Sequence, residues 1–159
     1  MGERTVRHFA AECRTPPSIG KSARTFSGPL ICGTPAGTIG AALTHLALAV
    51  HDQERSRRFY ETYLGFDAEP PRRYDDGVLM LYNARGFALA LGEVEGPIQL
   101  PPFFHFGVGA ESADDVRSFR DRLTADGLEL VEEWDEPGYV SVKFRDPDGY
   151  VVEYAWEPN

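Results

Sequence analysis

Residues 101–110 read PPFFHFGVGA. After two prolines, a short aromatic run carries one histidine, His105, followed at the next two positions of the same parity by Gly107 and Gly109. Side chains alternate faces along a strand, so His105, Gly107 and Gly109 share one side and Phe104, Phe106 and Val108 the other. The stretch therefore predicts a strand with a bulky underside suited to packing beneath a helix. Its opposite side, stripped to glycine, leaves space around a titratable ring.

The flanking sequence repeats this arrangement. Downstream, ESADDVRSFRDRLTADG reads as a helix with Ser112 as N-cap, Asp115 completing a capping-box-like pattern, Val116, Phe119 and Leu123 on one face, and Gly127 as stop. Three strands follow near 128–134, 138–144 and 149–156. Upstream, LTHLALAV (43–50) alternates as a strand, and DQERSRRFYETYLG offers Asp52 as N-cap, Phe59, Tyr60, Tyr63 and Leu64 at helical spacing, and Gly65 as stop. Strand-like pieces come next near 66–73, 77–83 and 86–94. His45 and His105 hold the same place in two units about sixty residues apart, which reads as an internal duplication.

Parity separates the two faces of four strands. His45 lies with Ala47 and Ala49, opposite Leu46, Leu48 and Val50; Ala88, Ala90 and Gly92 lie opposite Phe87, Leu89 and Leu91. Glu153 lies with Val151 and Ala155, opposite Tyr150, Val152, Tyr154 and Trp156. His45, His105 and Glu153 thus project from the small-residue sides. A buried carboxylate without a cation costs several kcal/mol, so a shared positive charge accounts for all three. Two imidazoles and a carboxylate suit a divalent transition metal with open positions. The competing explanation is a set of ordinary core residues, with Glu153 paired to Arg85 or Arg145.

The strand, helix and three-strand unit, the THLALAV opening and the closing FRDPDGYVVEYAWEP resemble the vicinal oxygen chelate superfamily, which includes glyoxalase I, extradiol dioxygenases, fosfomycin-resistance proteins and bleomycin-binding proteins. The resemblance covers residues 43–157 and implies an α+β fold, with two tandem βαβββ modules (43–95 and 102–157) forming an eight-stranded incomplete barrel around a concave metal site. It implies His45, His105 and Glu153 as the metal ligands. Aligning RGFALAL with DGYVVEY sets Ala90 opposite Glu153, so the fourth ligand of glyoxalase I is missing, and Glu93, on the other face, replaces it poorly. The expected function is a metal-dependent enzyme acting on a small oxygen-bearing molecule, dioxygenase-like or transferase- or lyase-like. With iron the triad supports oxygen activation; with manganese, zinc or nickel it supports addition, isomerisation or hydrolysis. The alternative is a metal-free protein that sequesters an antibiotic or other small molecule. Tyr139, which alternates with Ser141 and Lys143 before the last turn, is the candidate catalytic residue, as a substrate contact or acid/base group. No organic-cofactor site is expected.

Composition narrows the partners. Across 159 residues the formal net charge is −9, which argues against nucleic acid and anionic membrane surfaces. Residues 1–40 hold five basic and two acidic side chains among Ser, Thr, Pro and Gly, and read as a disordered tail preceding a domain at 41–159. Both cysteines, Cys13 and Cys32, fall in that tail, leaving no disulfide framework or Cys-rich zinc site; a cytoplasmic location is expected. No apolar run reaches membrane-span length. His51, about 20 Å along an extended strand from His45, is expected at the helix start rather than at the metal. His8 lies in the tail. Arg55, Arg57, Arg58, Arg72 and Arg73 read as solvated faces, and DPDG (146–149) as a tight turn. Half-open sheets and the resemblance both imply a homodimer.

Overall fold

The computed structural model describes residues 42–158. The expectations for residues 1–40 fall outside this range. Module one comprises β1 (His45–Val50), α1 (Gln53–Leu64), β2 (Arg72–Arg73), β3 (Leu79–Tyr82) and β4 (Ala88–Glu93). Module two repeats it with β5 (His105–Gly109), α2 (Ala113–Ala125), β6 (Leu130–Glu136), β7 (Tyr139–Arg145) and β8 (Val151–Trp156). Each module forms one four-stranded sheet, ordered β1-β4-β3-β2 and β5-β8-β7-β6. The first strand of each runs parallel to the last, and the other pairs are antiparallel. The fold is α+β, two tandem βαβββ units, with the two sheets as separate hydrogen-bonded ladders rather than a closed barrel.

The helices begin and end where their caps dictate. Asp52 takes an extended conformation and its carboxylate accepts the Arg55 N–H at 2.9 Å. Gly65 closes α1 at φ 66°, a conformation that costs glycine nothing. At α2 the Ser112 hydroxyl accepts the Asp115 N–H at 3.1 Å and donates to the Asp115 carboxylate at 2.7 Å. The reciprocal bond of a capping box thus goes to the cap side chain instead of its backbone.

β2 is much shorter than the expected 66–73. Pro70 and Pro71 have no N–H to give a ladder, and only Arg72 and Arg73 pair with β3. Phe66 instead turns into the core. β6 starts and ends later than expected, at 130–136, and a register shift between Leu130 and Glu132 breaks its pairing with β7.

Parity places the core as expected. Leu48 and Val50 are buried while His45 and Ala47 are exposed. Leu48, Val50, Tyr60, Phe66, Leu79, Leu81, Leu89 and Leu91 form one core cluster; Val116, Leu123, Val140, Val142, Phe144 and Val152 form the other. Each such Val, Leu or Phe adds about 1.5–3 kcal/mol on burial. Phe59, Leu64 and Phe106 pack against both clusters, and Tyr150 of module two belongs to the first.

The DPDG turn does more than reverse the chain. Asp146, 6% exposed, accepts the Tyr60 hydroxyl at 2.6 Å and the backbone N–H groups of Asp148 and Tyr150. The fully buried side chain of Asp148 accepts from His51 N (3.0 Å), His51 Nδ1 (2.9 Å), Arg55 (2.8 Å) and the Ser56 hydroxyl (2.7 Å). His51, Arg55, Ser56 and Tyr60 all come from module one. Arg55 is therefore a partner of this turn, not one of a solvated cluster, whereas Arg57 pairs locally with Glu54 and Glu61.

The two aspartates shift in opposite directions. Burial dominates at Asp146 and raises its pKa above the usual carboxylate range. Burial also opposes ionisation of Asp148, but the donors from His51, Ser56 and Arg55 outweigh it and hold the pKa below the ordinary value. A depressed folded-state pKa contributes stability above the unfolded value, near pH ~3.9, that is lost as pH falls through the folded one. Urea denaturation should therefore show Asp148→Asn less stable at pH 7 by about 3 kcal/mol, with the deficit narrowing below about pH 4. An unchanged stability at pH 7 would mean that the turn does not hold the modules together.

Candidate metal centre

β5 and β8 lie side by side in parallel register, with Gly107 opposite Glu153 and His105 opposite Val151. This brings His105 Nε2 within 3.3 Å of Glu153 Oε2. From β7, the Tyr139 hydroxyl donates to Glu153 Oε1 at 2.6 Å, and Lys143 Nζ stands 3.9 Å from the same oxygen. Lys143 pairs in turn with Glu132 of β6. Glu153 thus has neither of the arginine partners considered for it: Arg85 approaches Glu111 and Arg145 approaches Glu129. One carboxylate oxygen is held by Tyr139, and the other faces His105.

His45 stands on the other sheet. It is exposed, paired in register with Ala88, and its Nδ1 lies 3.2 Å from the Thr44 hydroxyl. Among the described residues, no three His, Cys, Asp or Glu side chains come together in a group able to hold a metal ion. The structure therefore unites His105, Glu153 and Tyr139 and leaves His45 apart from them. His51 sits just before α1, bonded to Asp148 and to the Gly96 carbonyl, as its spacing from His45 implied.

The donor set of the united residues fits a divalent cation. His105 Nδ1 lies 3.0 Å from the Phe103 carbonyl, which can only accept, so Nδ1 carries the proton of the neutral ring. The lone pair is then on Nε2, directed to the side where Glu153 stands. Two lone-pair groups so close repel one another unless a proton or a metal ion lies between them. Their spacing suits shared coordination, since ligands about 2.1 Å from a tetrahedral ion are about 3.4 Å apart. A backbone carbonyl on the second ring nitrogen is also the usual way in which a metal-ligating histidine is oriented.

The surroundings are an open sheet face rather than an enclosed cavity. Gly107 and Gly109 are exposed, and a Cβ built on either meets nothing within 4 Å. Trp134 on β6 is 47% exposed. Hollows of about 330 and 210 Å³ reach β5 itself, the first lined by Gly109 with Tyr63, Arg85, Phe119 and Tyr154, the second by Gly107 with Leu46, Phe66, Phe87 and Phe106. The room expected above the small-residue side is present on module two at Gly107 and Gly109, which are exposed among the described residues.

Two neighbours of the site escaped the sequence reading. Glu132 belongs to an acidic run that carries no motif; only its register opposite Lys143 reveals its place. Phe103 holds a positive φ of 70°, the only non-glycine residue among those described to do so, and the two preceding prolines were the available signal of a turn.

Comparison with known proteins follows the same outline. The family model for the Glyoxalase/Bleomycin resistance protein/Dioxygenase superfamily matches residues 42–154. Curated protein sequences give no match. Among solved structures, the genomically encoded fosfomycin resistance protein FosX from Listeria monocytogenes is 22% identical, with a TM-score of 0.61 over 74% of this chain and 94% of that one. A possible glyoxalase from Bacillus cereus is 24% identical, with a TM-score of 0.59 over 71% and 96%. A glyoxylase/bleomycin resistance protein/dioxygenase domain from Frankia sp. EAN1pec is 22% identical, with a TM-score of 0.61 over 74% and 98%. The Listeria protein has also been crystallised, as a mutant, with Mn(II) and a dihydroxypropylphosphonic acid. At these identities the structures establish a shared fold.

Burial, and then the hydrogen bond to Glu153, raises the Tyr139 phenol above its usual pKa. Spectrophotometric titration of metal-free protein should find Tyr139 ionising above the ordinary tyrosine range. Glu153→Gln should bring it part of the way back. A Tyr139 that titrates identically in both proteins would break the Tyr139–Glu153 contact as described.

Proposed function

Since the chain belongs to the Glyoxalase/Bleomycin resistance protein/Dioxygenase superfamily, we propose that it is a divalent-metal-dependent enzyme acting on a small oxygen-bearing molecule. The observation that carries this reading is the approach of His105 Nε2 to Glu153 Oε2 with the Nδ1 proton of the ring already committed to a carbonyl. His105 and Glu153 hold the ion from module two. His45 is the third ligand, contributed by a second copy of the chain, because among the described residues it stands apart from the other two and is exposed together with Ala47 on β1. The active unit is then a homodimer.

When bound, the cation supplies Lewis-acid stabilisation to negative charge developing on a substrate oxygen. The chain's own residues prepare that position. Tyr139 fixes one oxygen of Glu153 and leaves the other directed at the ion. Its raised pKa keeps the phenol protonated, so the hydroxyl remains the donor that holds Glu153. Lys143 balances Glu153 and Glu132. The lysine and arginine on this face, Lys143 and Arg145, both have acidic partners, which favours an uncharged substrate over a phosphonate. Manganese, iron, zinc and nickel all accept this donor set.

A second reading, metal-free sequestration of a small molecule, rests on the lack of a three-ligand cluster within the described residues of one chain. Elemental analysis of freshly purified protein separates the two. The enzyme reading expects about one divalent ion per chain, lost in His105→Ala and in His45→Ala. Mixing and re-annealing those two variants should restore about a quarter of the wild-type metal, as random pairing of a two-fold dimer leaves one intact site in half of the dimers. Wild-type protein that binds a ligand tightly with no metal would support sequestration. A mixture that regains no metal would place all three ligands within one chain.

A further inference from the structure

We propose that Phe103 is a positioning residue whose backbone, held at positive φ, fixes the tautomer and direction of His105. The inference rests on the reading of His105 as a ligand, but its first readout does not need a metal.

The Phe104 N–H donates to the Pro101 carbonyl at 3.2 Å, closing a four-residue turn over Pro101–Phe104. Pro102 occupies the second position, where its ring locks φ near −65°. Phe103 occupies the third, with φ at 70°. A negative φ followed by a positive one defines a type II turn, whose third position is ordinarily glycine or asparagine because a Cβ is strained there. An aromatic residue in this place incurs strain that a glycine would avoid.

Core packing does not account for the choice, as Phe103 is 91% exposed. Its described contacts converge on His105. The Phe103 carbonyl accepts from Nδ1 at 3.0 Å, and its ring meets the imidazole edge-on with centroids 5.3 Å apart. The turn aims the carbonyl at Nδ1, and this backbone contact holds the Nδ1 proton away from the site and presents the Nε2 lone pair on the side of Glu153 Oε2. The competing tautomer would place a proton on Nε2, where it blocks coordination.

Two substitutions separate the backbone from the ring. Phe103→Gly keeps the turn and its carbonyl and deletes the ring. Phe103→Val puts a β-branched residue where positive φ is most strongly opposed, and displaces the carbonyl. Long-range nitrogen–proton correlation spectra of the metal-free, nitrogen-15-labelled full chain at pH 9, where an ordinary imidazole is neutral, report the tautomer directly. Wild type and Phe103→Gly should show His105 protonated on Nδ1; Phe103→Val should show a mixture or the Nε2-protonated form. Mn(II) affinity, followed by electron paramagnetic resonance, should fall about tenfold in Phe103→Val and stay within about twofold of wild type in Phe103→Gly. If the tautomer follows the series but no variant binds Mn(II), the positioning role stands and the metal reading fails. Nδ1 protonation unchanged in Phe103→Val, or wild-type His105 protonated on Nε2, overturns the proposal.

Discussion

A carboxylate buried in the turn of the final hairpin ties the described domain together. Asp148 has no exposed side-chain surface, and an ionised group so placed is tolerated only when donors surround it. Its side-chain donors come from His51 just before α1 and from Arg55 and Ser56 in its first turn, more than ninety residues earlier in the chain. Asp146 repeats the device with the Tyr60 hydroxyl, and Tyr150 returns it by accepting the Ala49 N–H at 3.2 Å. Because these contacts cross from module one to module two, they set how the two helices meet, and Phe59 then stacks against both Tyr63 and Phe144.

The small-residue faces of the sheets are exposed in part, at His45 and Ala47 on module one and at Gly107 and Gly109 on module two. On module two this face carries a graded set of groups: a strained turn orienting His105, a phenol orienting Glu153, and a lysine between two glutamates. His105 is thus held by the turn that precedes its own strand and Glu153 by Tyr139 on the adjacent strand, so these two donor groups are directed before any ion arrives. Module one presents His45 on the equivalent strand among small residues. Among the described residues His45 stands apart from His105 and Glu153, and the surface at Gly107 and Gly109 is exposed.

Much of this was legible in the sequence because it depends on local rules. Asp52, Gly65 and Ser112 cap helices through contacts within four residues, and alternation along β1, β5 and β8 sorts core from site without reference to distant chain. Parity placed His45, His105 and Glu153 alike on small-residue sides, and the parallel register of β5 and β8 brings only the latter two into contact. Features that depend on distant partners were not legible. DPDG reads as a turn whatever lies opposite it, and only the folded chain reveals that Arg55 and Ser56 reach Asp148. Paired prolines cut β2 short against an apolar pattern that favoured extension. The separation of His45 from His105 and Glu153 among the described residues depends on how the two sheets are placed, which no spacing within the sequence encodes.

The account is tested most directly by an anomalous difference map from crystals grown with Mn(II). It expects one strong peak per chain, within coordination distance of His105 Nε2 and Glu153 Oε2, with His45 of a neighbouring copy completing the set. A map with Mn(II) bound elsewhere, and with His105 still in direct contact with Glu153, would contradict it.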